Sequence, residues 1–290
     1  MQCITDIKAL RDLLKQWRRA GESIAFVPTM GNLHAGHLQL VNQAKAQADR
    51  VVVSIFVNPR QFGVGEDFSL YPRTEQADQE KLQAAAVDVV FMPSTEAMYP
   101  VNELTKVSVS QVSDNHCGAA RPGHFDGVAT VVCKLFNIVQ PDKAFFGEKD
   151  FQQLTVINAM VADLNLPVDI ISVPTVRESS GLAMSSRNGY LTAQQREQAS
   201  QLYQSLCATK QSIQAKQLSY VDIEKQQIKF LTEQGFRVDY FSICRRSDLQ
   251  AAEHEDAEIV ILVAARIGKI RLIDNVQLDI ENSNSQFRIQ

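Results

Sequence analysis

The sequence predicts an α/β protein: a Rossmann-like parallel sheet followed by a smaller α+β unit. Three observations lead there. Short β-rich runs alternate with helical patterns through the first half of the chain, the pattern of a parallel sheet wrapped by helices. Beyond about residue 176 the order changes to two long polar helices and then three strands. Glycine-bearing polar loops also stand directly after expected strands, at the sheet edge where open α/β proteins bind ligands.

Residues 23–27 read as the first strand and 38–48 as a helix, with Leu38, Val41, Ala44 and Ala48 at helical spacing. Residues 50–57 are apolar almost throughout, as expected of a strand buried on both faces. A helix over 75–86 leads to a strand at 88–92. A further strand is expected at 106–112, and Arg121-Pro-Gly-His-Phe125 marks a loop through its Pro and Gly. A helix over 125–139 and a short strand at 143–146 follow. Asp150 is a good N-cap for a helix reaching about Ala162, and a strand at 168–173 completes the sheet. In the second unit, helices are expected over 192–216 and 220–234, and strands over 237–244, 258–265 and 269–273. The connection 174–181 divides the chain into 1–176 and 177–290, and the polar end 281–290 reads as a loose tail.

A chain of 290 residues, 45% hydrophobic and 21% charged, has the length and composition of a globular protein with one large domain or two ordinary ones. Its net charge of −4 provides no general basic surface for nucleic acid. An anionic ligand would be held by local cations and backbone N–H groups. The five cysteines (Cys3, Cys117, Cys133, Cys207 and Cys244) are odd in number, dispersed and without a C-x-x-C pair, which fits a reducing cytoplasm. The first fourteen residues carry Asp6, Lys8, Arg11 and Asp12, unlike a signal peptide. No apolar run approaches the ~20 residues that span a bilayer. The expectation is a cytoplasmic protein with neither a membrane nor a nucleic-acid partner.

The most informative segment is Pro28-Thr-Met-Gly31-Asn-Leu-His34-Ala-Gly36-His37, between the first expected strand and the next helix. Gly31 and Gly36 would let backbone approach a phosphate, and a helix N-terminus adds partial positive charge. His34 and His37, three apart, could donate to phosphate oxygens that gain charge as a phosphorus–oxygen bond breaks. A second cluster, Phe146-Gly-Glu-Lys149-Asp150-Phe-Gln-Gln153, again joins a strand to a helix. There Lys149 could neutralise a phosphate, Asp150 could cap the helix or hold a ribose hydroxyl, and Gln153 could face a cleft. A third, from Arg177 through Gly181 to Met184-Ser-Ser-Arg187-Asn188, offers hydroxyls and a guanidinium at the expected domain junction. A fourth, Ser54-Ile-Phe-Val57-Asn58-Pro59-Arg60-Gln61-Phe62, places neutral amides beside aromatic rings, suited to a small hydroxylated acid or simply to capping a turn. P-loop, dinucleotide-fingerprint, H-E-x-x-H and nucleophile-elbow motifs are absent from the sequence. Metal ligands are not identifiable.

Together these segments, with Asp67, Tyr71-Pro72-Arg73, residues 121–134 and residues 261–275, resemble the pantothenate synthetase (pantoate–β-alanine ligase) family over most of the chain. The resemblance implies a fold related to class I aminoacyl-tRNA synthetases, usually as a homodimer, with the second unit closing over the site. It implies that ATP and (R)-pantoate form pantoyl adenylate and pyrophosphate, and that β-alanine then gives pantothenate and AMP, within coenzyme A biosynthesis. By the same resemblance His37, His34, Lys149 and Arg187 act in catalysis. ATP contacts would be Met30, Gly31, Asn32, Leu33, His34, Ala35, Gly36, His37, Gly147, Glu148, Lys149, Asp150, Val176, Met184, Ser185, Ser186 and Arg187. Pantoate would meet Met30, Gln61, Gln153, Val131, Val132 and Arg121; Gln61 would also meet β-alanine, and Mg²⁺ would accompany ATP. Ala35 and Ser179-Ser180 depart from acidic residues common in the family, which bears only on loop detail. Two alternatives stand beside this reading. One is a nucleotidyltransferase with the same histidine motif and a phosphate-bearing acceptor; the other is a nucleotide-binding protein without catalysis.

Overall fold

The computed structural model describes residues 1–63 and 65–280; the tail expected over 281–290 lies outside the described residues. Two units divide the chain, 1–176 with 184–186 and 177–183 with 187–290.

In the first unit, six parallel strands stand in the order β1-β4-β3-β2-β5-β6. They are β1 (Gln2–Ile4), β2 (Ile24–Thr29), β3 (Arg50–Ile55), β4 (Val89–Phe91), β5 (Lys143–Gly147) and β6 (Asp169–Val173). Around them run α1 (Ile7–Arg19), α2 (Ala35–Lys45), α3 (Glu75–Ala84), the single turns α4 (Thr95–Met98) and α5 (Cys117–Ala120), α6 (His124–Val139) and α7 (Phe151–Asp163). The central strands are buried on both faces: Ile24 to Val27 and Val51 to Val53 are 2% exposed or less, which explains their unbroken apolar sequence. From β2 the chain adds β3 and β4 on one flank, then returns to add β5 on the other. The order therefore reverses between β2 and β5, and their carboxyl ends form the crevice of a topological switch point.

α6 supports this crevice from below the surface. Eleven of its residues, from Phe125 to Val139, are buried, and it packs against α1, α7, β2 and the Pro59–Gln61 turn. Gly127 makes the last contact possible, because a Cβ there would lie 2.2 Å from the Arg60 carbonyl oxygen.

The second unit packs α8 (Ala193–Ala199), α9 (Gln201–Ala215) and α10 (Tyr220–Glu233) on an antiparallel sheet, β7-β8-β9. Its strands are β7 (Arg237–Arg245), β8 (Glu258–Ile267) and β9 (Ile270–Asp279). Leu202, Leu206, Ile223 and Leu231 from the helices meet Phe241, Ile261, Val263 and Leu272 in one core. Gly268, at φ 57°, opens the two-residue turn between β8 and β9.

Several sequence expectations are corrected. Residues 106–112 form no strand; their β-branched alternation meets no sheet edge, and the Val107 N–H donates instead to Thr130 Oγ1 on α6, 3.0 Å away. The helix expected over 192–216 divides at Ser200, whose hydroxyl donates back to the Glu197 carbonyl at 2.7 Å. Asp150 makes no side-chain cap; a 3-10 turn over Glu148–Asp150 precedes α7. β1 and α1 were not read from the sequence. β1 has only three residues, held in register on β4, whereas α1 is capped by Asp6, which accepts from Ala9 N at 2.7 Å.

Gly127→Ala should destabilise the protein by about 2–3 kcal/mol, the overpacking cost where the obstacle is backbone. Urea denaturation measures it; a midpoint unchanged from the parent would mean that α6 and the turn can separate without loss.

Candidate active site

The loop between β2 and α2 is organised by its own side chains. His34 is the N-cap of α2, and its Nδ1 accepts from Gly36 N at 3.1 Å. His37 Nδ1 reaches back to accept from His34 N at 3.3 Å. Two histidines thus form a capping box, usually built from Ser or Thr and Glu or Gln. Because an Nδ1 that accepts an N–H carries no proton, each neutral ring has its proton on Nε2. The rings lie 4.1 Å apart between centroids. Burial is the main cause that pushes His37 down to about 3, with His34, Lys149 and Lys81 adding to it against Asp150. Burial, then Lys149, takes His34 down to about 4, again against Asp150. At neutral pH both rings are therefore uncharged Nε2–H donors.

Upstream, the backbone is equally engaged. Gly31 N donates to Thr29 Oγ1 at 3.2 Å, while Asn32 N and Leu33 N donate to the two oxygens of Asp78 at 2.7 and 2.8 Å. Gly31, at φ 81°, is needed for this turn: a Cβ would lie 3.1 Å from both Asp78 Oδ2 and Ile55 Cγ2. The glycine expected to admit a phosphate here admits a carboxylate of the chain itself. Leu33 has its carbonyl on Lys81 Nζ at 2.7 Å and its side chain in the core.

Across the switch point, β5 ends at Gly147, and Glu148, Lys149 and Asp150 make the turn into α7. Lys149 Nζ is 3.7 Å from Asp150 Oδ2, and its charge is the leading electrostatic influence on His34. The second cluster is therefore brought to the first. Part of the third joins them: Ser186 Oγ donates to the Asn32 carbonyl at 3.2 Å, and Asn32 Nδ2 to the Ser186 carbonyl at 3.4 Å. Met184 N donates to the Val176 carbonyl, and Met184 Cβ stands 3.9 Å from where a Gly36 Cβ would be. Ala35, the first residue of α2, is exposed. Ser185 lies between Met184 and Ser186 in this strip. Arg187 belongs to the second unit, where it lies in the 3-10 turn Ser186–Tyr190.

The fourth cluster forms a polar chain inside the first unit. Asn58 accepts from Arg60 N at 3.2 Å and from the Tyr99 hydroxyl at 2.8 Å, and its amide donates to the Gly127 carbonyl at 3.0 Å. The backbone partners fix its orientation, so Asn58 Nδ2 donates to Gln61 Oε1 at 3.1 Å. Gln61 consequently donates from its own Nε2 to Met30 Sδ, 2.9 Å away, and the amide keeps a second N–H that a ligand could accept. Arg121 holds Glu66 through two bonds of 2.6 Å and donates to the Gln61 carbonyl at 3.0 Å. It braces the Gln61 backbone. Val131 and Val132 are buried on α6 at 6% and 5% exposure, and Gln153 is half-buried in the first turn of α7. A cavity of about 490 Å³ reaches Met30 and Gly31 from Phe56, Arg73, Asp78 and Ser94; neither histidine lines it.

Sequence reasoning missed Asp78, Lys81, Glu66, Tyr99 and His124, whose Nδ1 lies 2.8 Å from the Gln61 carbonyl. No local pattern marks them. Asp78 sits among other acidic residues of α3, and only its 0% exposure sets it apart.

The pantoate–β-alanine ligase family model matches residues 2–277. The chain is 53% identical to the pantothenate synthetase of Alteromonas mediterranea over 280 residues, 96% of this chain and 99% of that one. The pantothenate synthetase of Pseudomonas fluorescens SBW25 is also 53% identical, over 97% of this chain and all of its own length. Among solved structures, the pantothenate synthetase of Thermus thermophilus matches with a TM-score of 0.88 at 44% identity, over 95% and 99% of the two chains. The pantoate–β-alanine ligase of Francisella tularensis, crystallised with β,γ-ATP and β-alanine, matches at 0.81 and 35% identity, over 95% and 97%.

The histidine pair gives a pH signature. Below about 6.5 an unfolded histidine binds a proton that the folded rings take up only near 4 and 3. The pair's contribution to stability is thus present above pH 6.5 and is lost as pH falls towards 3. In ¹H–¹⁵N spectra of the ligand-free protein both rings should remain neutral Nε2–H tautomers from pH 5 to 8; a midpoint near 6.5 for either would refute the assignment.

Proposed function

The chain belongs to the pantoate–β-alanine ligase family, and we propose that it condenses (R)-pantoate with β-alanine at the expense of ATP, releasing AMP and pyrophosphate. The observation that carries this reading is the pair of Nε2–H donors at the switch point, beside Lys149, with a donor-presenting Gln61 on the neighbouring loop.

A carboxylate is a poor acyl donor. In the first step a pantoate carboxylate oxygen attacks the α-phosphorus of ATP, the bond from that phosphorus to the bridging oxygen breaks, and pyrophosphate leaves. His34, His37 and Lys149 stabilise the charge that grows on the phosphate oxygens, where one well-placed donor contributes about 3 kcal/mol. Gln61 Nε2, with Met30 beside it, orients pantoate through one of its oxygens, and Gln153, Val131 and Val132 complete the pocket. In the second step the neutral amine of β-alanine attacks the acyl carbon, the bond to the AMP oxygen breaks, and the amine loses its proton. Gln61 is proposed to meet β-alanine as well. Asp150 is proposed to hold a ribose hydroxyl, and Gly36, Gly147, Val176 and the Met184-Ser185-Ser186 strip to line ATP.

Arg187 is proposed to meet the triphosphate. Among the described residues no cluster of three metal-ligating side chains occurs. Mg²⁺ would therefore arrive on the ATP phosphates, and the half-exposed Asp150 carboxylate has the ligand chemistry it favours. When bound, the ion would neutralise phosphate charge. A homodimer is proposed as well, and Val101 and Leu104, 91% and 97% exposed, are apolar surface that a second copy would cover. Among the described residues no helix is long and apolar enough to cross a membrane and no disulfide joins the cysteines; a cytoplasmic location is proposed from the biosynthetic role. A nucleotidyltransferase acting on a phosphate-bearing acceptor is not favoured, since Gln61 brings a neutral amide to the acceptor side.

Incubation with ATP, Mg²⁺, pantoate and β-alanine should yield the amide and AMP, and omission of pantoate should abolish pyrophosphate exchange. His37→Ala and Lys149→Ala should each lower pantoate-dependent exchange by about 10²-fold or more, and Arg187→Ala should act on the ATP-dependent step. Exchange at the parent rate in the first two variants, or an Arg187 effect confined to β-alanine affinity, would count against these roles.

A further inference from the structure

Every backbone N–H from Gly31 to His34 is held by a side chain of the chain itself, and the two central ones converge on one buried carboxylate. Asp78 is 0% exposed. Its Oδ1 accepts from Leu33 N at 2.8 Å, and its Oδ2 accepts from Asn32 N at 2.7 Å and from Thr74 Oγ1 at 3.0 Å. One turn along α3, Lys81 Nζ lies 3.8 Å from Asp78 Oδ1 and donates to the Leu33 carbonyl at 2.7 Å. Both polar backbone groups of Leu33 are thus gripped by α3, immediately before His34. Gly31 and Asn32 are both left-handed, at φ 81° and 49°. Successive N–H groups in such a turn make an anion-binding concavity, and here the anion is supplied in cis.

We propose that Asp78 and Lys81 are positioning residues for the adenylation step: α3 clamps Leu33 from both sides, and the clamp holds the backbone on which the two histidines cap α2. Neither residue needs to touch substrate. Without the clamp, residues 31 and 32 would relax from their left-handed turn, His34 N would leave His37 Nδ1, and the His37 ring would lose the constraint that keeps its proton on Nε2. The charge of Lys81 also reaches both imidazoles and helps to keep them neutral, alongside Lys149 and against Asp150. This inference rests on the ligase reading for its kinetic consequence but not for its spectroscopic one.

Lys81 is the better point of attack, because its side chain is 41% exposed and its loss should leave the fold intact. In Lys81→Met, the kcat of pantoate-dependent ATP–pyrophosphate exchange should fall at least about tenfold, the scale on which misplaced catalytic groups act, while the KM values for ATP and pantoate stay within about twofold. The ¹⁵N imidazole spectrum should lose the single Nε2–H tautomer at His37, whose Nδ1 depends on His34 N. Lys81→Arg, which can still donate to the Leu33 carbonyl, should restore both rate and spectrum. Asp78→Asn should give the same spectroscopic change if it folds. Parental kcat and spectrum in Lys81→Met would overturn the proposal. So would a raised ATP KM with unchanged imidazole signals, which would mark Lys81 as a direct phosphate ligand. If the parent protein shows no pantoate-dependent exchange, the ligase reading fails, and the imidazole spectra alone then decide whether the clamp exists.

Discussion

Two imidazoles can work as directed donors only if something else occupies their second nitrogen. In this chain that occupant is the backbone at the start of α2: Gly36 N for His34 and His34 N for His37. The arrangement satisfies N–H groups that a helix N-terminus otherwise leaves open, and it selects the tautomer. The rest of the site depends on it. The spacing of three residues is what lets the ring of His37 reach the His34 amide, and the small residue between them leaves room, since a Cβ at Gly36 would lie 2.9 Å from His34 Cε1.

The same principle recurs around Gln61. An amide side chain can present either its oxygen or its nitrogen, and the choice is made by its neighbours. Arg60 N and the Gly127 carbonyl orient Asn58, Tyr99 adds its hydroxyl, and Asn58 then turns Gln61. Behind them, Glu103 pairs with Arg60 and Lys134, which both stand over the Tyr99 ring. Buried chains of this kind lock a side chain in place only while every member is satisfied. The donor polarity of Gln61 is thus a property of α6, the Pro59–Gln61 turn and the segment after β4 together.

How much of this was legible in the sequence follows from how local each device is. The histidine loop, the Lys149 turn and the Met184–Ser186 strip could be read because strand, glycine and polar residues lie within a few positions of one another. The alternation of strands and helices placed them on one sheet edge. The clamp on Leu33 could not be read, because Asp78 lies 45 residues away and looks like any acid on an exposed helix. Gly31 was legible as a required glycine, but the room it makes for Asp78 was not. Residues 106–112 show the opposite failure, where strand propensity is present and no edge exists to receive it.

The neutrality of the two rings bears on how the site divides its work. ATP and pantoate both arrive as anions, and cations around them stabilise the bound reactants as well as the transition state. Only the difference between those two effects accelerates the step. Lys149 supplies fixed positive charge near the histidines, and the same charge, with burial, keeps the rings uncharged. An uncharged N–H donor held in place gains most where negative charge accumulates on the oxygen it faces, and its orientation requires no rearrangement as that charge grows. Cation and neutral donors are therefore complementary in the proposed reaction: Lys149 would draw the phosphates to the crevice, and the backbone-fixed imidazoles would respond to the bond that breaks there.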